Sequence, residues 1–167
     1  NDIERNVLSN GYRFLFSGHG ESKNNETLLV LGTLPNKESV TISPQEIAQS
    51  FVNGHKNNLK RSFKKEDIPI FIFDNCLSKN FANEMIRSIQ ALSKKDKKMY
   101  PLPIIIGTSE FSQSSFSEFT SSYDSKFSSD VLNLKEDKPI TIGSIIKNKD
   151  KMDSNLFIYV PETQTPY

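Results

Sequence analysis

The chain has 167 residues, of which 35% are hydrophobic and 25% charged, and its formal net charge is +1. This length and composition predict one globular domain over residues 1–167 with an enclosed core. A net charge near zero argues against a dedicated nucleic-acid-binding protein, and no apolar run reaches the ~20 residues of a membrane-spanning helix, so we expect neither nucleic acid nor membrane as a partner.

The first part of the chain predicts a short helix and a strand. Residues 2–10 fit a helix that stops at Gly11, and residues 12–16 have the aromatic and apolar content of a strand. The polar sequence at 17–20 (SGHG) should end that strand and form a turn.

A hairpin and an amphipathic helix are expected next. Residues 27–32 and 39–42 read as short strands joined by a turn at Pro35-Asn36. Ser43 is a suitable helix cap, and Glu46 three positions later completes the capping-box pattern. The helix should end near Gly54, since glycine favours helix termini.

The middle of the chain predicts a buried strand followed by a second helix. Residues 68–73 (IPIFIF) form a continuous apolar run, which is typical of a parallel strand covered on both faces. The run leads directly into Asp74-Asn75-Cys76. An amphipathic helix follows, and residues 93–98 are polar enough to predict a loop. The apolar positions of this helix are Phe81, Ala82, Met85, Ile86, Ile89 and Leu92.

The last part predicts a third parallel strand, a long loop and closing strands. Residues 102–106 fit a buried strand that leads to Gly107-Thr108-Ser109-Glu110. Residues 112–130 are rich in Ser and Phe without a clear period, which indicates a long loop packed on the surface. Residues 139–146 and 155–160 read as closing strands.

The order of elements indicates an α/β layer structure with a mostly parallel sheet flanked by helices. In such sheets, functional residues collect at the carboxyl ends of the strands. Three predicted strands end in polar residues that can take part in catalysis or binding. They are His19, Asp74 to Cys76, and Ser109-Glu110. We expect these positions to converge at one edge of the sheet.

Cys76 and His19 have the chemistry of a thiol–imidazole pair. A free thiol is mostly protonated at neutral pH, and histidine is the usual proton carrier for it. The main-chain amides of Gly20 and Cys76 could donate to the oxyanion of an acyl-transfer intermediate. The plainer alternatives are an inert cysteine and a structural histidine. The sequence has no metal-ligand spacing and no phosphate loop, so we expect no metal and no cofactor.

Two segments resemble the caspase-like clan of cysteine peptidases. Residues 14–20 (FLFSGHG) are similar to its catalytic-histidine motif, especially that of metacaspases, and residues 70–78 (IFIFDNCLS) resemble its strand ending in Asp-x-Cys-x-Ser. His19 and Cys76 are about 57 positions apart, near the separation of about 50 typical of caspases. Residues 104–115 are similar to the pocket-lining segment of legumains and CHAT domains.

The resemblance implies a caspase-like fold and a cysteine endopeptidase that acts on protein or peptide substrates. Cys76 would be the nucleophile, His19 the proton carrier, and the amides of Gly20 and Cys76 the oxyanion donors. Asp74, Ser109 and Glu110 would line the pocket for the substrate residue before the cleaved bond, called P1. A carboxylate at Asp74 favours Arg or Lys at P1, because it could pair with a substrate cation.

The resemblance also implies that the fold has a further strand and helix before β-strand residues 12–16. Caspase-like sheets have a strand–helix unit before the histidine strand, whereas only residues 1–11 precede that strand here. We therefore expect an upstream or partner chain to complete the fold, as in clan members that process themselves. A single cysteine fits an intracellular protein, where disulfides are rare.

Several alternatives remain open at the level of sequence. The domain could be a catalytically silent caspase-like module that binds a partner protein, or an unrelated α/β binding domain. Asp74 could cap the helix after Cys76, and Glu110 could point to solvent. His55, in a polar and basic stretch after Gly54, is expected to be an exposed loop residue.

Overall fold

A computed structural model of the chain describes residues 1–9, 11–57, 68–108, 131, 134, 140–152 and 155–161. The segment 112–130 predicted as a loop therefore lies outside the described residues. Along the chain the elements are α1 (Asp2–Asn6), β1 (Arg13–Ser17), β2 (His19–Lys23), β3 (Glu26–Thr33), β4 (Ser39–Ile42), α2 (Pro44–Asn57), β5 (Ile70–Asp74), α3 (Ser78–Asp96), β6 (Ile104–Gly107), α4 (Ile142–Asn148), a 3-10 turn (Lys149–Lys151) and β7 (Phe157–Tyr159).

The main sheet has the order β1-β5-β6-β7. β1 pairs in parallel with β5, and β5 pairs in parallel with β6, whereas β7 runs antiparallel to β6. The apolar runs that predicted β5 and β6 are confirmed as central strands. Their side chains need cover on both faces, and the fold supplies helices for this purpose.

Two apolar cores lie on opposite faces of the sheet. Phe71 and Phe73 of β5 point into the larger core, together with buried residues of α1, α2 and α3. Ile106 of β6 and Ile158 of β7 point into the smaller core, where Ile145 of α4 joins them. The alternation of neighbouring residues between two cores follows from the two-residue period of a strand. The expected mostly parallel sheet flanked by helices is thus confirmed.

A second sheet has the order β2-β3-β4 and contains His19. The prediction of a turn over residues 17–20 is wrong from His19 onward, because β2 starts there. Asn24 and Asn25 form the two-residue connection to β3 and have φ values of 52° and 63°. Positive φ at both central residues is the conformation that asparagine tolerates in tight hairpins, so Asn24-Asn25 was a sequence signal for β2. The predicted hairpin of β3 and β4 is confirmed.

α2 begins as predicted but does not end at Gly54. The Ser43 hydroxyl accepts a hydrogen bond from the Glu46 amide at 3.2 Å, and Glu46 Oε2 accepts one from the Ser43 amide at 2.8 Å. The helix continues to Asn57 because Gly54 serves packing instead of termination. A Cβ at Gly54 would overlap Val7 and lie 2.9 Å from the Glu4 carbonyl oxygen, so the glycine lets α1 lie directly on α2.

Two further predictions are wrong at helix boundaries. The polar stretch at 93–98 was expected to be a loop, but α3 continues to Asp96 and ends at Lys97 in the left-handed conformation. Residues 139–146 were expected to be a strand, but α4 occupies Ile142–Asn148. Thr141 and Ser144 form a capping box there, which outweighs the strand preference of the isoleucines. The closing strand at 155–160 is confirmed as β7.

In the described part of the chain, no helix combines the length and apolar character that a membrane crossing requires.

Candidate functional site

The candidate site lies where β1, β5 and β6 end. Ser17 is the register partner of Asp74, and Phe73 is the register partner of Gly107, so the three strands finish at the same level. Parallel strands place their carboxyl ends at one edge of a sheet, as the sequence predicted. This edge carries Asp74 and leads into the turn with Cys76.

Asp74 holds the ends of the neighbouring strands. Its Oδ1 accepts a hydrogen bond from the Thr108 hydroxyl at 2.8 Å, and its Oδ2 accepts one from the Ser17 hydroxyl at 3.4 Å. The side chain is only 2% exposed. A buried carboxylate needs such donors, because an ionised group without partners is costly in an apolar interior. The alternative of a helix cap is wrong: α3 has Leu77 as its N-cap residue, without a side-chain cap bond.

Cys76 lies in a tight turn between β5 and α3. Asn75, before it, is fully buried and donates from Nδ2 to the Cys76 carbonyl oxygen at 2.7 Å. Leu77, after it, has φ 63° and ψ 20°, a left-handed conformation that is uncommon for leucine. Cys76 is partly exposed, and it is the single cysteine of the chain. The turn therefore presents a thiol at the carboxyl edge of the sheet.

β2 brings the histidine segment to this turn. The Gly18 amide donates to the Asp74 carbonyl oxygen at 3.2 Å, which anchors the chain just before His19. A Cβ at Gly20 would overlap the Cys76 carbonyl oxygen and lie 2.6 Å from Asn75 Nδ2. The backbone of Gly20 is therefore in direct contact with the turn, an approach that only glycine allows. His19 is exposed at the start of β2.

The structure thus brings together four of the predicted site residues, namely His19, Gly20, Asp74 and Cys76. Ser109 and Glu110 lie outside the described residues. Sequence reasoning missed three supporting residues, Ser17, Asn75 and Thr108, because their roles depend on contacts across the sheet edge. The positions of Ser17 and Thr108 directly after apolar strands were the available signal.

His55 is not an exposed loop residue, and this expectation is wrong. It lies in α2, is 8% exposed, and packs edge-on against Phe51 with ring centroids 4.6 Å apart. Burial, with a smaller contribution from the Lys98 charge, lowers the pKa of His55 from 6.5 to about 4. Residue 55 is thus a neutral core histidine at pH 7 and is separate from the candidate site.

A thiol, an imidazole and a tightly held turn are groups suited to nucleophilic acyl transfer. Among the residues that the structure describes, no group of three or more His, Cys, Asp or Glu side chains could hold a metal ion.

No protein-family model matches the chain, and no curated protein sequence matches it significantly. The fold and the site define a mixed α/β protein with a cysteine and a histidine segment at the carboxyl edge of a mostly parallel sheet.

Proposed function

We propose that the protein is a caspase-like cysteine endopeptidase in which Cys76 is the nucleophile and His19 the proton carrier. The observation that carries this proposal is the contact of the Gly20 backbone with the Cys76 carbonyl oxygen. That contact sets the strand that starts at His19 against the turn that presents the thiol. Both His19 and Cys76 are accessible, as groups that meet a substrate must be.

The proposed reaction has two steps. In the first, the Cys76 thiolate attacks the substrate carbonyl carbon, the peptide C–N bond breaks, and protonated His19 gives its proton to the departing amine. In the second, His19 takes a proton from water and the resulting hydroxide attacks the carbonyl carbon of the Cys76 thioester. The C–S bond then breaks, which regenerates the Cys76 thiolate and protonated His19, and the carboxylic acid product leaves and releases its proton to water. The main-chain amides of Gly20 and Cys76 are the proposed donors to the oxyanion.

A basic P1 residue is the proposed specificity, with Ser109 and Glu110 as further pocket residues. The support comes from the partners of Asp74. Its two oxygens accept from neutral hydroxyls, and no cation among the described residues pairs with it. A buried carboxylate with neutral donors alone would gain a strong charge-assisted pair from a substrate Arg or Lys.

The test is hydrolysis of fluorogenic peptides with Arg, Lys, Asp, Asn or Leu at P1. We expect cleavage after Arg or Lys, its loss in Cys76→Ala and His19→Ala, and a selective loss of basic cleavage in Asp74→Asn. Cleavage after Asp or Asn alone would retain the peptidase but refute the role of Asp74. Cleavage that persists in Cys76→Ala would refute the dyad.

A catalytically silent module that binds a partner protein is the second candidate. The open edge of the sheet favours it: β1 pairs only with β5 among the described strands, and Leu15 is 63% exposed. An upstream or partner chain could add a strand there and complete the fold. A thiol-reactive peptide probe separates the two candidates, since a silent module would not label Cys76 faster than free cysteine does.

A further inference from the structure

The turn at Cys76 is held from two sides by its own neighbours. From within the turn, Asn75 Nδ2 donates to the Cys76 carbonyl oxygen at 2.7 Å. From β2, the Gly20 backbone lies against the same oxygen and against Asn75 Nδ2. One carbonyl group therefore connects the cysteine turn, the Asn75 amide and the strand that starts at His19.

The conformation of the next residue shows why the turn needs such support. Leu77 is left-handed, with φ 63°, although it has a Cβ that disfavours this region. Uncommon backbone conformations persist where surrounding contacts determine them, and they occur often at functional sites. Asn75 is 0% exposed, so its hydrogen bond to Cys76 is shielded from competing water.

We infer that Asn75 is a positioning residue for the thiol, and that its hydrogen bond to the Cys76 carbonyl keeps the turn against Gly20, the residue that follows His19 in β2. This role deepens the proposed function and rests on it. Asn75 would act through the Cys76 carbonyl, to which its side-chain amide donates, and not through a contact of its own with the substrate. The Cys76–Leu77 peptide would turn away from β2 without the bond, and a displacement of 1 Å at a reacting atom can reduce a rate about a hundredfold.

The rate at which iodoacetamide alkylates the protein tests this inference without any substrate. The chain has one cysteine, so the label reports Cys76 alone. At pH 7.5 we expect Asn75→Ala and Asn75→Asp to alkylate at least about tenfold more slowly than wild type. Asn53→Asp is the matched control, because Asn53 accepts from Gln49 on α2 and an aspartate still can. Circular dichroism verifies that each variant is folded.

The pH profile distinguishes positioning from a merely structural effect. The carboxyl introduced by Asn75→Asp can donate to the Cys76 carbonyl only when it is protonated. The alkylation rate of this variant relative to wild type should therefore rise toward one between pH 7.5 and pH 5, whereas Asn75→Ala should not recover. Each rate is compared with that of wild type at the same pH, because the titratable residues His19, Asp74 and Cys76 also lie next to this contact in the chain.

Combination with His19→Ala completes the test. If Asn75 acts by holding the thiol beside His19, Asn75→Ala should slow alkylation much less in a His19→Ala background than in wild type. Equal effects in both backgrounds, an unchanged rate in Asn75→Asp, or recovery of Asn75→Ala at pH 5 would each overturn the inference. A silent peptide panel combined with the expected alkylation pattern would refute the endopeptidase and leave the role of Asn75 standing.

Discussion

At the carboxyl edge of the sheet, single contacts decide whether a residue tolerates substitution. Gly20 has the least room for an added side-chain atom among the glycines of this edge. Its neighbours are the backbone oxygen of Cys76 and the amide of Asn75, neither of which is the flexible end of a long side chain. A methyl group added at Gly20 must therefore displace the turn that carries the thiol.

We predict that Gly20→Ala lowers the rate of Cys76 alkylation at least about tenfold and the free energy of unfolding by about 1–3 kcal/mol, because an added methyl overpacks the contact. The matched control is Gly32→Ala in β3, where a Cβ would meet nothing within 4 Å. Iodoacetamide labelling and urea unfolding measure the two effects. Equal behaviour of the two variants would contradict the contact between Gly20 and the turn.

His55 leads to a prediction about pH. Its pKa is lowered to about 4 in the folded protein by burial and by Lys98, so between pH 4 and 6.5 the unfolded chain binds a proton that the folded chain does not. The contribution of His55 to stability is therefore complete above pH 6.5 and is lost as the pH falls toward 4. The difference is on the order of 3 kcal/mol.

Urea unfolding at pH 7.5 and pH 4.5 measures this loss, with His55→Leu as the comparison. Leucine keeps an apolar contact with Phe51 and cannot titrate, so the variant should lose less stability than wild type on acidification. The same pH dependence in both proteins would show that other groups are responsible.

Packing between elements can reverse local preferences, as Gly54 illustrates on the scale of a helix pair. Alanine is favoured over glycine within a helix by about 1 kcal/mol, so propensity alone predicts that Gly54→Ala stabilises α2. A Cβ there would overlap Val7 and approach the Glu4 carbonyl, and α1 would have to move.

We predict a net destabilisation by Gly54→Ala of about 1–3 kcal/mol in urea unfolding. Val7→Ala should lower the free energy of unfolding less in the Gly54→Ala variant than in wild type, because it removes one of the two overlaps. A higher unfolding midpoint for Gly54→Ala would mean that helix propensity outweighs the α1–α2 contact.

For the whole molecule, the carboxyl edge is where three strands are joined by one carboxylate. Asp74 accepts from Ser17 of β1 and from Thr108 after β6, and it lies on β5 between them. Asp74 thus links the ends of the three strands, and it is also the residue proposed to bind a basic P1 side chain.

Thr108→Val tests the structural role. Valine has nearly the same shape but no hydroxyl, so Asp74 would lose its shorter hydrogen bond inside the protein. We expect a loss of about 1–3 kcal/mol in the free energy of unfolding, because a buried charged acceptor is left with one fewer donor. Thr33→Val at the exposed end of β3 is the control and should change stability little. Equal stability of Thr108→Val and wild type would argue against the link.

The amino-acid sequence by itself determined the elements whose signals are local. The apolar runs of β5 and β6, the capping box of α2 and the periodic apolar face of α3 were each readable from a few neighbouring residues. The placement of Asp74 and Cys76 at the carboxyl edge of the sheet also followed, because parallel strands end at a common edge.

Only the tertiary structure decided the features that depend on distant partners. Gly54 and His55 looked like a helix end and an exposed loop until α1 and the core covered them. The contact between Gly20 and Cys76 joins residues far apart in the chain, and no local pattern encodes such a distance. The physical reason is that local preferences are worth at most about 1 kcal/mol per residue, whereas a packed contact or a buried polar group is worth several times more.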